Sequence, residues 1–121
     1  MSTIRVEFAP GFNLGDDAVL LAMDGDGVKE FTSALQAAVK YGGGQLQHGD
    51  FAHQFLIQPG DPEVEVDRSR VVWRLDQAKA SEVIADLIAL GDGGRPGHQY
   101  VDISSPADTL VLSCDEYVGQ S

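Results

Sequence analysis

The chain has 121 residues and a 43% hydrophobic fraction, which suits one domain with a real core and excludes a wholly disordered polymer. Nineteen Asp and Glu against eight Lys and Arg leave a net charge of −11, which disfavours most DNA or RNA binding, since affinity for a phosphate backbone depends on cationic contacts. The longest apolar run, residues 18–23, falls far short of the ~20 residues of a membrane helix. The first residues lack the basic-then-apolar order of a secretory signal, and a lone Cys114 cannot close an internal disulfide, so a cytoplasmic protein is expected.

Ile4, Val6 and Phe8 alternate with Arg5 and Glu7, the period of a half-buried strand. Pro10, Gly11, Asn13 and Gly15 read as a loop, and residues 18–23 as a second, largely buried strand. Asp24-Gly25-Asp26-Gly27 supplies a helix N-cap. The helix runs to about Tyr41, with Val28, Phe31, Leu35, Ala38 and Val39 on one stripe, and Gly42-Gly43-Gly44 stops it.

Two hairpins are expected next. Gly49-Asp50 turns residues 45–48 into residues 51–58, placing His48 opposite Phe51 and Leu46 opposite His53. Pro59-Gly60-Asp61-Pro62 is a strong turn. In the second hairpin Val64 opposes Trp73 and Val66 opposes Val71 on one face, while Glu63 meets Arg74 and Asp67 meets Arg70 on the other. Asp76 caps a second helix over about residues 77–90, with Ala80, Val83, Ile84, Leu87 and Ile88 as its apolar stripe. Residues 91–97 form a flexible Gly-rich loop, and residues 98–103 and 109–114 two final strands. The order ββαββββαββ predicts a single α+β domain over 1–121, its last few residues disordered. A mainly antiparallel sheet carries both helices on one face. No repeat of fixed period is visible.

No complete chemistry emerges. Asp24-Gly25-Asp26-Gly27 opens like a calcium loop but has Val28, Lys29 and Leu35 where an oxygen ligand, glycine and glutamate belong, so capping explains it. The Gly91-Asp92-Gly93-Gly94 run lacks a third fingerprint glycine and a phosphate-loop lysine. His48 and His53 lie diagonally across a hairpin, roughly 7 Å apart, close enough to converge on a metal with Asp50 or His98. They also lie among phenylalanines, where packed, hydrogen-bonded imidazoles are the simpler reading, and no metal is assigned. Cys114 shares a face with Leu110 and Leu112 and precedes Asp115 and Glu116, the setting of an inert thiol. No catalytic residue and no cofactor is assigned; a small metal- or Cys-dependent enzyme is the least supported alternative.

The carboxylates remain. Glu63, Glu65 and Asp67 share one strand face, and His98, Tyr100 and Asp102 form an outward row beside Asp115, Glu116 and Tyr117 on the neighbouring strand. Solubility alone would explain them, as would tyrosines packing over the sheet end; as a partner surface they offer aromatic anchors and carboxylates for a basic protein.

Several runs resemble one family. Val71-Val72-Trp73-Arg74-Leu75-Asp76 before a helix, Gly97-His98-Gln99-Tyr100-Val101-Asp102-Ile103, and Ser105-Pro106 leading to Leu110-Val111-Leu112-Ser113 with Asp115-Glu116-Tyr117 are similar to the immunity proteins of bacterial polymorphic-toxin systems, the thirty-second family of that series. The resemblance spans roughly residues 30 to 118. It implies a cytoplasmic protein that binds and neutralises one cognate toxin, often a nuclease or another basic effector, and it brings no catalytic residues. The alternative is a small acidic adaptor or oligomerising module without catalysis; homo-oligomerisation stays open, and neither nucleic acid nor membrane is an expected partner.

Overall fold

The computed structural model describes residues 2–13, 15–92 and 96–116. They form β1 (Ile4–Asn13), β2 (Asp16–Met23), α1 (Gly25–Tyr41), β3 (Gly43–His48), β4 (Phe51–Ile57), β5 (Glu63–Val66), β6 (Arg70–Leu75), α2 (Gln77–Asp92), β7 (Gly97–Asp102) and β8 (Thr109–Cys114). The loop expected at Pro10 is a continuation of β1. Proline is tolerated there because β1 is an outermost strand, and a register shift between Ala9 and Asn13 absorbs the turn residues. Of the Gly-rich loop after α2, residues 93–95 lie outside the described residues, as do residues 117–121, where a disordered end was expected. No helix among the described residues is long and apolar enough to cross a membrane.

The α+β class holds, but the single sheet does not. Two four-stranded mixed sheets replace it, ordered β1-β2-β8-β7 (sheet A) and β3-β4-β6-β5 (sheet B). Hairpins supply the antiparallel outer pairs, while the central pairs β2–β8 and β4–β6 are parallel. The cause is that each helix carries the chain from one sheet to the other. Each sheet is therefore completed by strands from both halves, and consecutive hairpins alone do not build it.

This topology is an internal two-fold repeat of ββαββ. Exchanging β1-β2-α1-β3-β4 with β5-β6-α2-β7-β8 turns the order of sheet A into that of sheet B. Met23 pairs with Cys114 as Leu75 pairs with Ile57, and each of Met23 and Leu75 directly precedes a capping aspartate. In this correspondence Leu21 falls on Trp73, Leu112 on Phe55 and Leu110 on His53. The repeat is one of topology, which is why no sequence period announces it.

Both caps use the same chemistry. Asp24 Oδ1 accepts from Gly27 N at 2.7 Å and Asp76 Oδ1 from Lys79 N at 2.7 Å, each satisfying a free N–H of the first helical turn. Asp24 Oδ1 also accepts from Thr3 N at 3.0 Å, so the first cap also docks the start of β1. Gly42 ends α1 at φ 85°, a left-handed conformation that glycine takes without a Cβ clash.

One core gathers the inner faces of both sheets and the apolar stripes of both helices. On sheet A the lining is aliphatic: Val19, Leu21, Met23, Leu110 and Leu112. On sheet B it is aromatic. Trp73 is 1% exposed, pairs with Val64 and meets Phe31 of α1 edge-on at 5.3 Å between centroids; Phe55 meets the same ring at 5.3 Å. A smaller cluster of Ala18, Leu20, Ala22 and Val111 is buried on the other face of sheet A, with Ala9 and Phe12 against it.

Candidate functional site

The alternation of β7 sets the first part of the site. Val101 is buried in the core, so His98, Tyr100 and Asp102 face outward, and Tyr100 is 54% exposed. After β8 the chain takes a left-handed step at Asp115, φ 60°, whose N–H donates to Met23 O at 2.8 Å. That step returns Glu116 to the β7 edge, where His98 Nδ1 donates to Glu116 Oε1 at 2.9 Å. The His98 ring then meets Tyr100 edge-on at 5.2 Å. Glu116 holds His98, and His98 braces Tyr100. Asp102 is exposed at the end of the row, opposite Thr109. Asp115 directs its carboxylate at Cys114 Sγ, 3.6 Å away, rather than at β7. Tyr117 lies outside the described residues.

The second part is β5. Val64 and Val66 point toward the core, leaving Glu63, Glu65 and Asp67 on the outer face with Arg70 and Arg74. The register places Glu63 opposite Arg74, yet the guanidinium leans diagonally and Nη1 meets Glu65 Oε1 at 2.7 Å. Asp67 Oδ1 accepts from Arg68 N at 2.8 Å and is held in its turn. The two parts are linked through the backbone. Val64 N donates to Ser105 O at 2.9 Å and Ser104 N to Pro62 O at 2.8 Å, so the segment following β7 is stitched to the start of β5.

A third feature was not expected from the sequence. Ser2 binds His48 at the end of β3, whereas Phe8, farther along β1, lies with Val64 and Val66 of β5. β1 thus runs across one end of sheet B, and it meets β5 at a corner. There a cleft of about 400 Å³ is lined by Phe8, Val64, Glu65, Val66, Ser105 and Pro106. Phe8 belongs to the inward row of β1 and pairs with the buried Val19, yet it is 41% exposed because the strand overruns the core at this corner. A second cleft of about 320 Å³ adjoins it through Pro106 and is lined by Asp16, Asp17 and Asp108 with Ala107 and Thr109. Only the strand period of Phe8 hinted at this place; the crossing that exposes the ring is tertiary.

The histidine pair and the cysteine resolve into packing. The hairpin has the register read from the sequence, Leu46 opposite His53 and His48 opposite Phe51. The two rings serve different partners, however. His48 Nε2 lies 3.1 Å from both Ser2 Oγ and Ser2 O, and Ser2 Oγ donates to Glu30 Oε2 at 2.6 Å. Because that glutamate binds the serine hydroxyl, the trio lacks the base-orienting bond of a hydrolase triad. His53 is 1% exposed and accepts at Nδ1 from Trp73 Nε1 at 3.2 Å, so the neutral ring carries its proton on Nε2, which has no partner among the described residues. Burial, and then the neighbouring His48, lower its pKa from 6.5 to about 4. Burial also pushes the Cys114 thiol up to about 11, with the Asp115 carboxylate adding to the effect, which removes the thiolate a nucleophile needs. No group of three or more His, Cys, Asp or Glu among the described residues is arranged to hold a metal ion.

The arrangement offers an exposed braced tyrosine, an apolar corner and carboxylates on either side. No family model, no curated protein and no solved structure matches the chain.

Proposed function

We propose that this chain is a cytoplasmic immunity protein that binds and neutralises a cognate basic toxin through its acidic surface. The observation that carries the reading is the braced row on β7. Tyr100 is 54% exposed, yet its ring is held by His98, and His98 by Glu116, so an aromatic anchor is presented with little orientation left to lose. The rest is electrostatic. A chain of net charge −11 accelerates encounter with a cationic partner above the unsteered ~10⁵–10⁶ M⁻¹s⁻¹, and fast capture is what protection from a toxin demands. A carboxylate surface also offers a nuclease toxin a substitute for the phosphate row it recognises. The role needs no cofactor and no catalytic group.

Capture from the native host tests it. The tagged chain is expected to retain a basic toxin domain and to restore growth of cells producing that toxin, whereas Tyr100→Ala combined with Glu116→Gln loses both with the fold intact. Failure of the unaltered chain to capture or protect against any toxin would remove the reading.

A further inference from the structure

We propose that the corner cleft between β1 and β5 receives an apolar side chain from a lysine- or arginine-rich protein segment, whose cationic residues lie along the adjoining Asp16–Asp17–Asp108 cleft. This deepens the immunity reading and rests on it for the identity of the partner; the binding chemistry rests on the cleft. Phe8 is an inward-row aromatic left 41% exposed, and Val64, Val66 and Pro106 complete an apolar wall around a volume that admits one large side chain. Such a wall in an otherwise acidic neighbourhood selects its occupant by charge. Glu65 stands on one side with Glu63 and Asp67 along the same strand, and Asp16, Asp17 and Asp108 stand on the other, across Pro106. Arg74 pairs with Glu65, and Arg70 lies on the same outer face beside Asp67, so the strand's carboxylates are offset in part. Asp16, Asp17 and Asp108 are all exposed, and Asp17 Oδ1 is partly used internally, accepting from Gly11 N at 2.9 Å. An acidic or neutral segment would meet like charge or leave these carboxylates unpaired; a basic one pairs them while burying its apolar residue.

The test uses the full chain and three synthetic peptides: Lys-Arg-Leu-Trp-Arg-Lys, the same peptide with Gly-Gly in place of Leu-Trp, and Glu-Glu-Leu-Trp-Glu-Glu. In an NMR titration the first peptide is expected to shift the amides of Phe8, Val64, Val66 and Ser105. Its affinity should fall about tenfold or more on loss of Leu-Trp, on reversal of the peptide's charge, or in the Phe8→Ala variant. Asp16→Asn with Asp108→Asn should weaken it several-fold at low salt and less at high salt. These two positions are exposed, so the arm stands even where Phe8→Ala fails to fold. Binding elsewhere, no binding at millimolar peptide, or affinity indifferent to Leu-Trp or to charge would overturn the proposal. Failure of the immunity reading looks different. A captured toxin that is unaffected by the cleft variants removes the cleft and keeps the immunity role, while peptide binding at the cleft without any toxin does the reverse.

Discussion

Sheets A and B have one topology but different contents. Where sheet A places Leu21, Leu110 and Leu112 against the core, sheet B places Trp73, His53 and Phe55. Their other faces differ as well: apolar Ala18, Leu20, Ala22 and Val111 are buried on sheet A, whereas sheet B presents Glu65, Arg70 and Arg74 around a buried Val72. The lesson is that strand order and register tolerate either filling, because backbone ladders and an apolar inward row are all the scaffold demands. The contents then decide what each sheet is sensitive to, size and pH on one side, partner charge at the edges.

The largest effect expected is at the aromatic centre of sheet B. Trp73→Ala should destabilise by about 3–5 kcal/mol in denaturant unfolding, since it empties a fully buried site against Phe31 and leaves His53 Nδ1 unpartnered. Leu21→Ala, its counterpart, should cost about 2–5 kcal/mol without any change in acid sensitivity. A loss under 1 kcal/mol for Trp73→Ala would break the aromatic half of the comparison.

Acid should separate the sheets next. His53 is held neutral in the fold, with a pKa of about 4 against 6.5 when exposed. The unfolded chain therefore binds the extra proton first as pH falls. Its contribution is complete above pH 6.5, declines between 6.5 and 4, and is fully lost below 4, amounting to about 3 kcal/mol. Stability curves of His53→Leu, which installs the residue of sheet A, should be flatter across that window. An unchanged slope would show that the ring is solvated.

A smaller contrast lies at the two helix starts. A Cβ at Gly27 would run into the carbonyl oxygen of Thr3, whereas the matching position in α2 is Lys79. Gly27→Ala should thus destabilise by about 1–3 kcal/mol despite the gain in helix propensity, and Lys79→Ala by under about 0.5 kcal/mol. Equal thermal midpoints would mean that Thr3 moves aside freely. The smallest effect is expected on sheet B's outer face, where Arg74→Gln should cost about 0–1 kcal/mol because its ion pair with Glu65 is part-exposed.

How much of this was legible follows from the range of each signal. Both central hairpins were readable to the residue, because Val64 with Trp73 and Leu46 with His53 agree with alternation over a few positions. The outward set of His98, Tyr100 and Asp102 followed in the same way from Val101. Pairing of β2 with β8 joins distant ends of the chain through nearly continuous apolar runs, which lack the alternation that would fix a partner or a register. The two-sheet division and the two-fold repeat were therefore hidden. So was the corner cleft, which exists only because β1 overruns sheet B. Arg74 illustrates the finer limit: register placed it opposite Glu63, but side-chain reach took it to Glu65.

The most direct test is the salt-dependent binding kinetics of the captured toxin against edge variants of the two sheets. The account predicts that Glu63→Gln with Glu65→Gln slows association, with the difference vanishing as salt rises, while Tyr100→Ala or Asp115→Asn with Glu116→Gln speeds dissociation at every salt concentration. Association and dissociation rates unchanged by all three, with protection of cells intact, would contradict it.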